Sequence, residues 1–495
     1  MNTFKKILCA LLASLMLTGT LASCGNGDEP ADETNAQTQA DTNAEADTRE
    51  ILEIPDTRYD GTELCLMVRG GSGAWSTTEV FSDNKTANSD NISYAVFERN
   101  DRILQTYGVT ITEYRSEVQH TDITNEVAAP TGDFMAVVSD VRSSAGFATS
   151  GYLWNLNSDA VEYLDFSKPW WDTKMAEGMT IDNRLYFATG DIMTLDNDAT
   201  FAIMFNKLLA TESRLPNLYE LVDNGQWTMD KLYEFEQTSV RDMDGDGALD
   251  YDSDVCGFAY TQDNPSALLF GGGITLAQKD EDDIPYYELN IELAQEIIEK
   301  GRQLLSKDYT VNMNETGLND VEESGKKCFG ENHALFFGEC LQCVTRVRGY
   351  DVDFGILPFP KFNAEQDSYY SMMHHTASVV SIPKSVGEAD LTMVESMLEA
   401  MAYHAVDTIT KQYYEINLKT KGAKDVESGP MIDTILANRA CDLVYYFGWG
   451  GDSYGNIANC MLPSSKTAVS SENKKSEKTV KNNITAFFRK IENYD

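Results

Sequence analysis

The chain opens with Lys5 and Lys6, then an apolar run from Ile7 to about Leu17, then small residues up to Ser23. That order is a secretory signal, and the run is too short to cross a bilayer. From Gly25 to about Arg58 the pattern turns polar, with almost no large apolar residue before Ile51. Such a tract cannot bury enough surface to fold and predicts a flexible spacer. The folded part is expected from near Gly61. Glu63 to Val68 reads as a buried first strand, stopped by the turn Gly70-Gly71-Ser72-Gly73. Ile92, Val96, Ile103 and Leu104 share one side of a helix. Val109 to Tyr114 is a second strand and Phe134 to Ser139 a third, with Asp140 at its carboxyl end. Strand, helix, strand, helix-like segment, strand is the rhythm of a parallel α/β sheet. Ligands of such sheets bind beyond the carboxyl ends of the strands, and Trp75 and Asp140 lie just past two of them.

Further along, Leu293, Ile297, Ile298 and Leu305 mark an amphipathic helix. Phe354 to Leu357 and Ala377 to Ile382 read as strands, the second stopped by Pro383. Leu391, Val394, Leu398 and Met401 continue a helix, and Met431, Ile432, Ile435 and Leu436 make another. The last helix carries Val480, Ile484, Phe487, Phe488 and Ile491 on one stripe, and polar, basic Ser471 to Lys478 before it reads as a surface loop. There is no internal repeat and no other apolar stretch of spanning length.

With 495 residues the chain can hold two ordinary domains or one large α/β unit. Its 39 Lys and Arg against 79 Asp and Glu give a net charge of −40. Residues 1–23 hold two lysines and no acid, so the charge without them is −42. Such a surface repels nucleic acid and anionic lipid headgroups, which argues against both as partners, and it attracts divalent cations. Nine cysteines include Cys9 and Cys24, leaving seven that are odd in number and scattered. They are expected to be mostly buried free thiols rather than a disulfide framework.

Leu21-Ala22-Ser23-Cys24 resembles a bacterial lipobox, which implies cleavage before Cys24, lipidation of its thiol and tethering outside the cytoplasmic membrane. Thioether-linked diacylglycerol plus an amide-linked acyl chain would hold it stably. Thr200-Phe201-Ala202-Ile203-Met204-Phe205-Asn206-Lys207 is similar to the crossover strand of extracellular solute-binding proteins of the sugar-binding, maltose-binding-like type, with Phe205 where that family often has tyrosine. Gly225 to Leu232 resembles the helix start that follows it, with Thr228 as N-cap. His333 to Phe337, then Asp353 to Lys361, resembles the family's late strand and Pro-rich crossing. The resemblance implies a two-lobe periplasmic-binding-protein-like fold (type II) with ligand between the lobes: 60–202 and 357–405 as lobe one, 203–356 and 406–495 as lobe two, after a signal at 1–23 and a lipidated linker at 24–59. It also implies a monomer that closes around a carbohydrate, such as an oligosaccharide, and docks on ABC transporter permease subunits at the outer face of the cell membrane, or in the periplasm where there is an outer membrane. No catalytic residue is expected.

Sugars need aromatic planes and planar polar groups. Six tryptophans are candidates, and Trp449, in Tyr445-Tyr446-Phe447-Gly448-Trp449-Gly450-Gly451-Asp452, resembles in its place a stacking tryptophan of maltose-type relatives. Asp140 and Arg142 resemble a hydroxyl-binding Asp-Arg region, here split by Val141. Trp75, Trp170, Trp171 and Asp452 complete the candidate ligand set, with core packing or pinning of a loop as the alternative for each aromatic. Asp242, Asp244, Asp246, the Ala248 carbonyl and Asp250, with a glycine in sixth place, match the start of an EF-hand-like calcium loop. Its twelfth position is Ser253, so Asp252 or Asp254 would complete the shell of a structural calcium. Cys328, His333, Cys340 and Cys343 are discounted as a zinc set, and His374-His375 has no partner at metal spacing. Two other classes stay open: an extracellular glycoside hydrolase, since a carboxylate pair can always be found among 79 acids, and a binding protein for a peptide or other solute on the same fold.

Overall fold

A computed structural model describes residues 50–71, 75, 79–86, 91–318, 321–413 and 426–492. Cys24, the signal and most of the acidic spacer lie outside the described residues. The chain divides into two units, Met1–Glu50 and Ile51–Asp495, and the second carries the fold. It begins earlier than the expected boundary near residue 60. Leu52, Ile54 and Tyr59 pack on the core, and Arg58 donates to the carbonyls of Gln105 and Thr106 at 2.6 and 2.7 Å.

Among the described residues, nine strands build the two larger sheets: β1 Thr62–Arg69, β2 Val109–Ser116, β3 Ala136–Asp140, β4 Phe201–Asn206, β5 Cys256–Tyr260, β6 Thr310–Asn312, β7 Ala334–Cys340, β8 Phe354–Leu357 and β9 Ser378–Ser381. The first sheet has the order β9-β3-β1-β2, and the second β8-β4-β7-β5-β6. β1, β2 and β3 are parallel, as are β5, β6 and β7. β9 runs antiparallel to β3, and β4 antiparallel to both β7 and β8. Every residue of β4, β5, β8 and β9 is buried, as sheets covered on both faces require. Helix Asn91–Tyr107 covers β2 and packs on helix Glu388–Ala405, while helices Met229–Ser239 and Val321–Gly330 cover the second sheet.

The strands expected at 63–68, 109–114, 354–357 and 377–382 all form, and Thr228 caps its helix through Lys231 N–H. The expected surface loop 471–478 does not. Helix Val469–Ile491 runs straight through it, because Val469, Ser476 and Val480 keep to the buried face and Lys481 pairs with Glu477 one turn away. All seven described cysteines are free thiols, five of them buried.

This topology places two sets of strand ends together. Arg69, Ser116 and Asp140 end the parallel strands of the first sheet, and Ser378 lies opposite Asp140. Tyr260, Asn312 and Cys340 end those of the second, with Phe201 opposite Cys340.

Candidate functional site

Two adjoining cavities open at these strand ends and, among the described residues, share Trp75 alone. The larger, about 830 Å³, lies over the first sheet between Arg69, Ser116, His120 and Arg142. The smaller, about 200 Å³, lies over the second, between Phe201, Thr261, Asp263, Glu339, Gln342 and His374. The Trp75 ring tilts over His374 at 6.3 Å between centroids, and His374 lies 4.2 Å from His375, which in turn meets Tyr445 at 5.6 Å. Of these rings, Trp75 and His374 line the cleft, and His375 and Tyr445 stand behind them.

The polar groups around it are held from behind. Arg69 donates Nη2 to Ser378 Oγ at 2.7 Å. Arg142 donates Nη2 to the Tyr445 carbonyl at 2.9 Å, with its guanidinium 5.7 Å from the centre of the Tyr445 ring. The buried Nε of Arg142, Thr261 Oγ1 and Gln342 Oε1 have no hydrogen-bond partner. His374 Nδ1 lies 2.7 Å from Thr376 Oγ1, and its Nε2 is 3.9 Å from Asp263. Burial lowers the pKa of His374 and takes that of His375 down to about 3, so neither ring is a cation at neutral pH. Burial raises the Glu339 carboxyl to about 7 against the pull of the Cys340 N–H, and it raises Asp263 too.

The structure brings Trp75 and Arg142 to this cleft. Asp452 is exposed at the start of helix Ser453–Ala458, close enough to raise the pKa of Asp263. Asp140 caps helix Val141–Thr149, both carboxylate oxygens taken by the N–H and hydroxyl of Ser143 at 2.8 and 2.7 Å. Three aromatic assignments need correction. Trp449 is 5% exposed, closed in by Phe447 at 5.1 Å and Phe487 at 5.7 Å, because the last helix packs on it. Trp170 and Trp171 are buried too, and their indole N–H groups share the carboxylate of Glu399, each at 2.8 Å. They flank a separate cavity of about 390 Å³ with Asp172, Asp191, Asp196 and Arg439. Sequence reasoning missed Arg69, Asp263, Glu339, Gln342 and His374. The rule that found Trp75, a residue just past a strand end, also points to Thr261–Asp263 after β5.

In the acidic loop, Asp242, Asp244 and Asp246 each offer one oxygen, all within 4.8 Å of one another. Asp242 accepts from Gly245 N–H at 2.6 Å and Gly247 N–H at 3.0 Å, and both glycines have φ near +80°, which a side chain would strain. Asp254 does not join them. It is buried, and its two oxygens accept the N–H groups of Met243 and Asp250, tying the loop's ends together. His333 turns its Nδ1 to the Asp254 carbonyl at 2.7 Å.

No protein-family model matches the chain, and no curated protein does. Solved structures do. The chain is similar to an ABC substrate-binding protein from Listeria monocytogenes in complex with cycloalternan, at 11% identity and TM-score 0.53, over 86% of this chain and 100% of that one. It is similar to the cyclic α-maltosyl-1,6-maltose binding protein from Arthrobacter globiformis, at 13% and 0.55, over 86% and 99%. It is also similar to the maltose/maltodextrin-binding domain MalE from Bdellovibrio bacteriovorus bound to maltotriose, at 15% and 0.53, over 86% and 100%. At these identities the likeness is one of fold: the chain has the two-lobe α/β fold of the solute-binding proteins of ABC transporters, with its cleft at the strand ends.

Proposed function

We propose that this chain is an extracellular solute-binding protein that captures a carbohydrate in the cleft and hands it to ABC permease subunits, tethered by lipid on Cys24. The observation that carries the reading is the cleft itself. Rings of Trp75, Phe201 and His374 line it beside partnerless polar atoms of Arg142, Thr261 and Gln342, the pairing of flat faces and hydroxyl partners that a sugar needs. Solved proteins of the same fold carry oligosaccharides, which agrees with it. Ligand touching the ends of both sheets gains its full contacts only in the shut form, so its binding energy shifts the population toward closure. The outward-facing location follows from the secretory pattern of residues 1–23.

Calorimetry with a panel of oligosaccharides, read beside solution scattering, tests this. Saturable binding with a contracting scattering profile is expected, and Trp75→Ala should weaken it tenfold or more, about 1.4 kcal/mol, without shifting the melting point of the free protein. Turnover of the sugar without saturable binding would replace the reading by a hydrolase.

The acidic loop is proposed to hold a structural calcium through Asp242, Asp244, Asp246, the Ala248 carbonyl and Asp250, an all-oxygen set that suits this hard cation. Asp254 shapes the loop rather than binding the ion. Removing calcium with a chelator should lower the melting point, and superimposable melts with and without it would refute the site.

A further inference from the structure

The half of the cleft over the second sheet is chemically one-sided. Its cavity is lined by Asp263 and Glu339, and no lysine or arginine is among the described lining residues. Thr261 and Gln342, 4% and 6% exposed, line it as well, and their Oγ1 and Oε1 atoms have no partner. The Gln342 atom can only accept a hydrogen bond, and so can an ionised carboxylate. Asn314 adds a side-chain oxygen that already accepts the Gln262 N–H at 2.7 Å. The walls are the rings of Trp75, Phe201 and His374. Acceptors and aromatic rings lining one cavity suit a cationic donor, which gains both charge-assisted hydrogen bonds and attraction to the ring faces.

Resting on the carbohydrate reading above, we infer that this half-site receives a protonated amino group, so that the cargo is a sugar carrying a free amine, as an unacetylated hexosamine does. The neighbouring charges agree. His374, beside Asp263, is neutral. Lys326, which acts on Glu339 from helix Val321–Gly330, is paired with Glu323 at 3.0 Å. Arg142 lies over the other sheet, bound to the Tyr445 carbonyl. Asp452 is a further negative neighbour of Asp263 and raises its pKa rather than neutralising it. Among the described residues the two lining carboxyls therefore have no counter-ion of their own, and an ammonium would supply it. The net charge of −40 draws cations toward the cleft as well.

The test is calorimetric titration of the full mature protein with glucosamine-type, N-acetylated and plain hydroxyl saccharides of matched ring and linkage, with putrescine as an amine without a sugar. Amine-bearing saccharides should bind at least tenfold tighter than both counterparts. Glu339→Gln and, separately, Asp263→Asn should erase that preference without lowering the melting point of the free protein. Equal affinity across the three saccharides, or a preference that survives both substitutions, overturns the inference and leaves carbohydrate capture standing. Putrescine binding that Glu339→Gln abolishes, with no saccharide bound, upholds the amine half-site and removes the carbohydrate reading. Failure of every probe to bind overturns the inference.

Discussion

Trp75 and Trp449 show how much a residue's role depends on its surroundings. Both stand next to glycine-rich stretches in the sequence, yet Trp75 faces two cavities and Trp449 is enclosed by Phe447 and Phe487. Trp449→Ala should therefore cost stability, about 3–5 kcal/mol for a buried tryptophan, and leave ligand affinity within a factor of two to three of the parent's. Urea unfolding beside calorimetry would check both halves, and a large affinity loss at unchanged stability would return Trp449 to the cleft. The sequence made Trp75 legible because a strand end is a local signal: an apolar run followed by glycines. His374 carries no such signal. It was set aside for lack of metal spacing, and only the return of the chain through 373–377 to β9 lays its ring under Trp75. Glu399 was equally hidden, since nothing local in a helix shows that its carboxylate will meet two indoles from residues 228 and 229 positions away.

At the level of elements, the strands were the most readable, because burial on both faces writes a continuous apolar run. Helix Val469–Ile491 was cut short in the sequence reading, because its first half is mostly polar and its buried face there is only Val469 and Ser476. The crossings between the sheets were read as strands and helices, and their polar joint was not. There Arg439, 7% exposed, donates to Thr200 Oγ1 at 3.0 Å and to Asp172 and Asp196, each at 2.9 Å, and also bonds Asn197. It sits in a two-residue strand paired with Ser371–Met372, next to the point where the chain enters β4. Four partners from two earlier segments meet one guanidinium, so the joint is fixed by a hub that none of the local patterns encodes. Arg439→Met would leave Asp196 buried and Asp172 half-buried without their cation, and the expected loss is about 3–5 kcal/mol in equilibrium unfolding. A variant as stable as the parent would show that the joint is held by packing alone.

For the molecule as a whole, the excess of acid has been folded inward as well as spread on the surface. Burial is the leading cause that raises Asp191, Asp198, Glu339, Glu395 and Glu399 to about 7, and Glu236 well above the ordinary carboxyl range. A carboxyl whose folded pKa lies above its unfolded value keeps a proton in the native state that the unfolded chain has released. Between about pH 4 and 7 the native state thus binds more protons, and stability is greatest at the acidic side of that window and falls as pH rises through it. One proton of difference corresponds to about 1.4 kcal/mol per pH unit. Self-repulsion from a net charge of −40 acts in the same direction, since fewer carboxylates are ionised at lower pH. Urea midpoints should accordingly be higher at pH 5.5 than at pH 7.5. Glu236 isolates the effect, because it is fully buried in helix Met229–Ser239 and neither of its oxygens has a hydrogen-bond partner. In the parent, Glu236 must stay protonated at a pH where the unfolded chain would ionise it, a cost that grows with pH and that glutamine does not carry. Glu236→Gln should therefore gain stability over the parent at pH 7.5 and gain less at pH 5.5, the two gains differing by up to about 1.4 kcal/mol per pH unit. Equal gains at both pH values would mean that Glu236 is ionised in the fold, which its surroundings do not support.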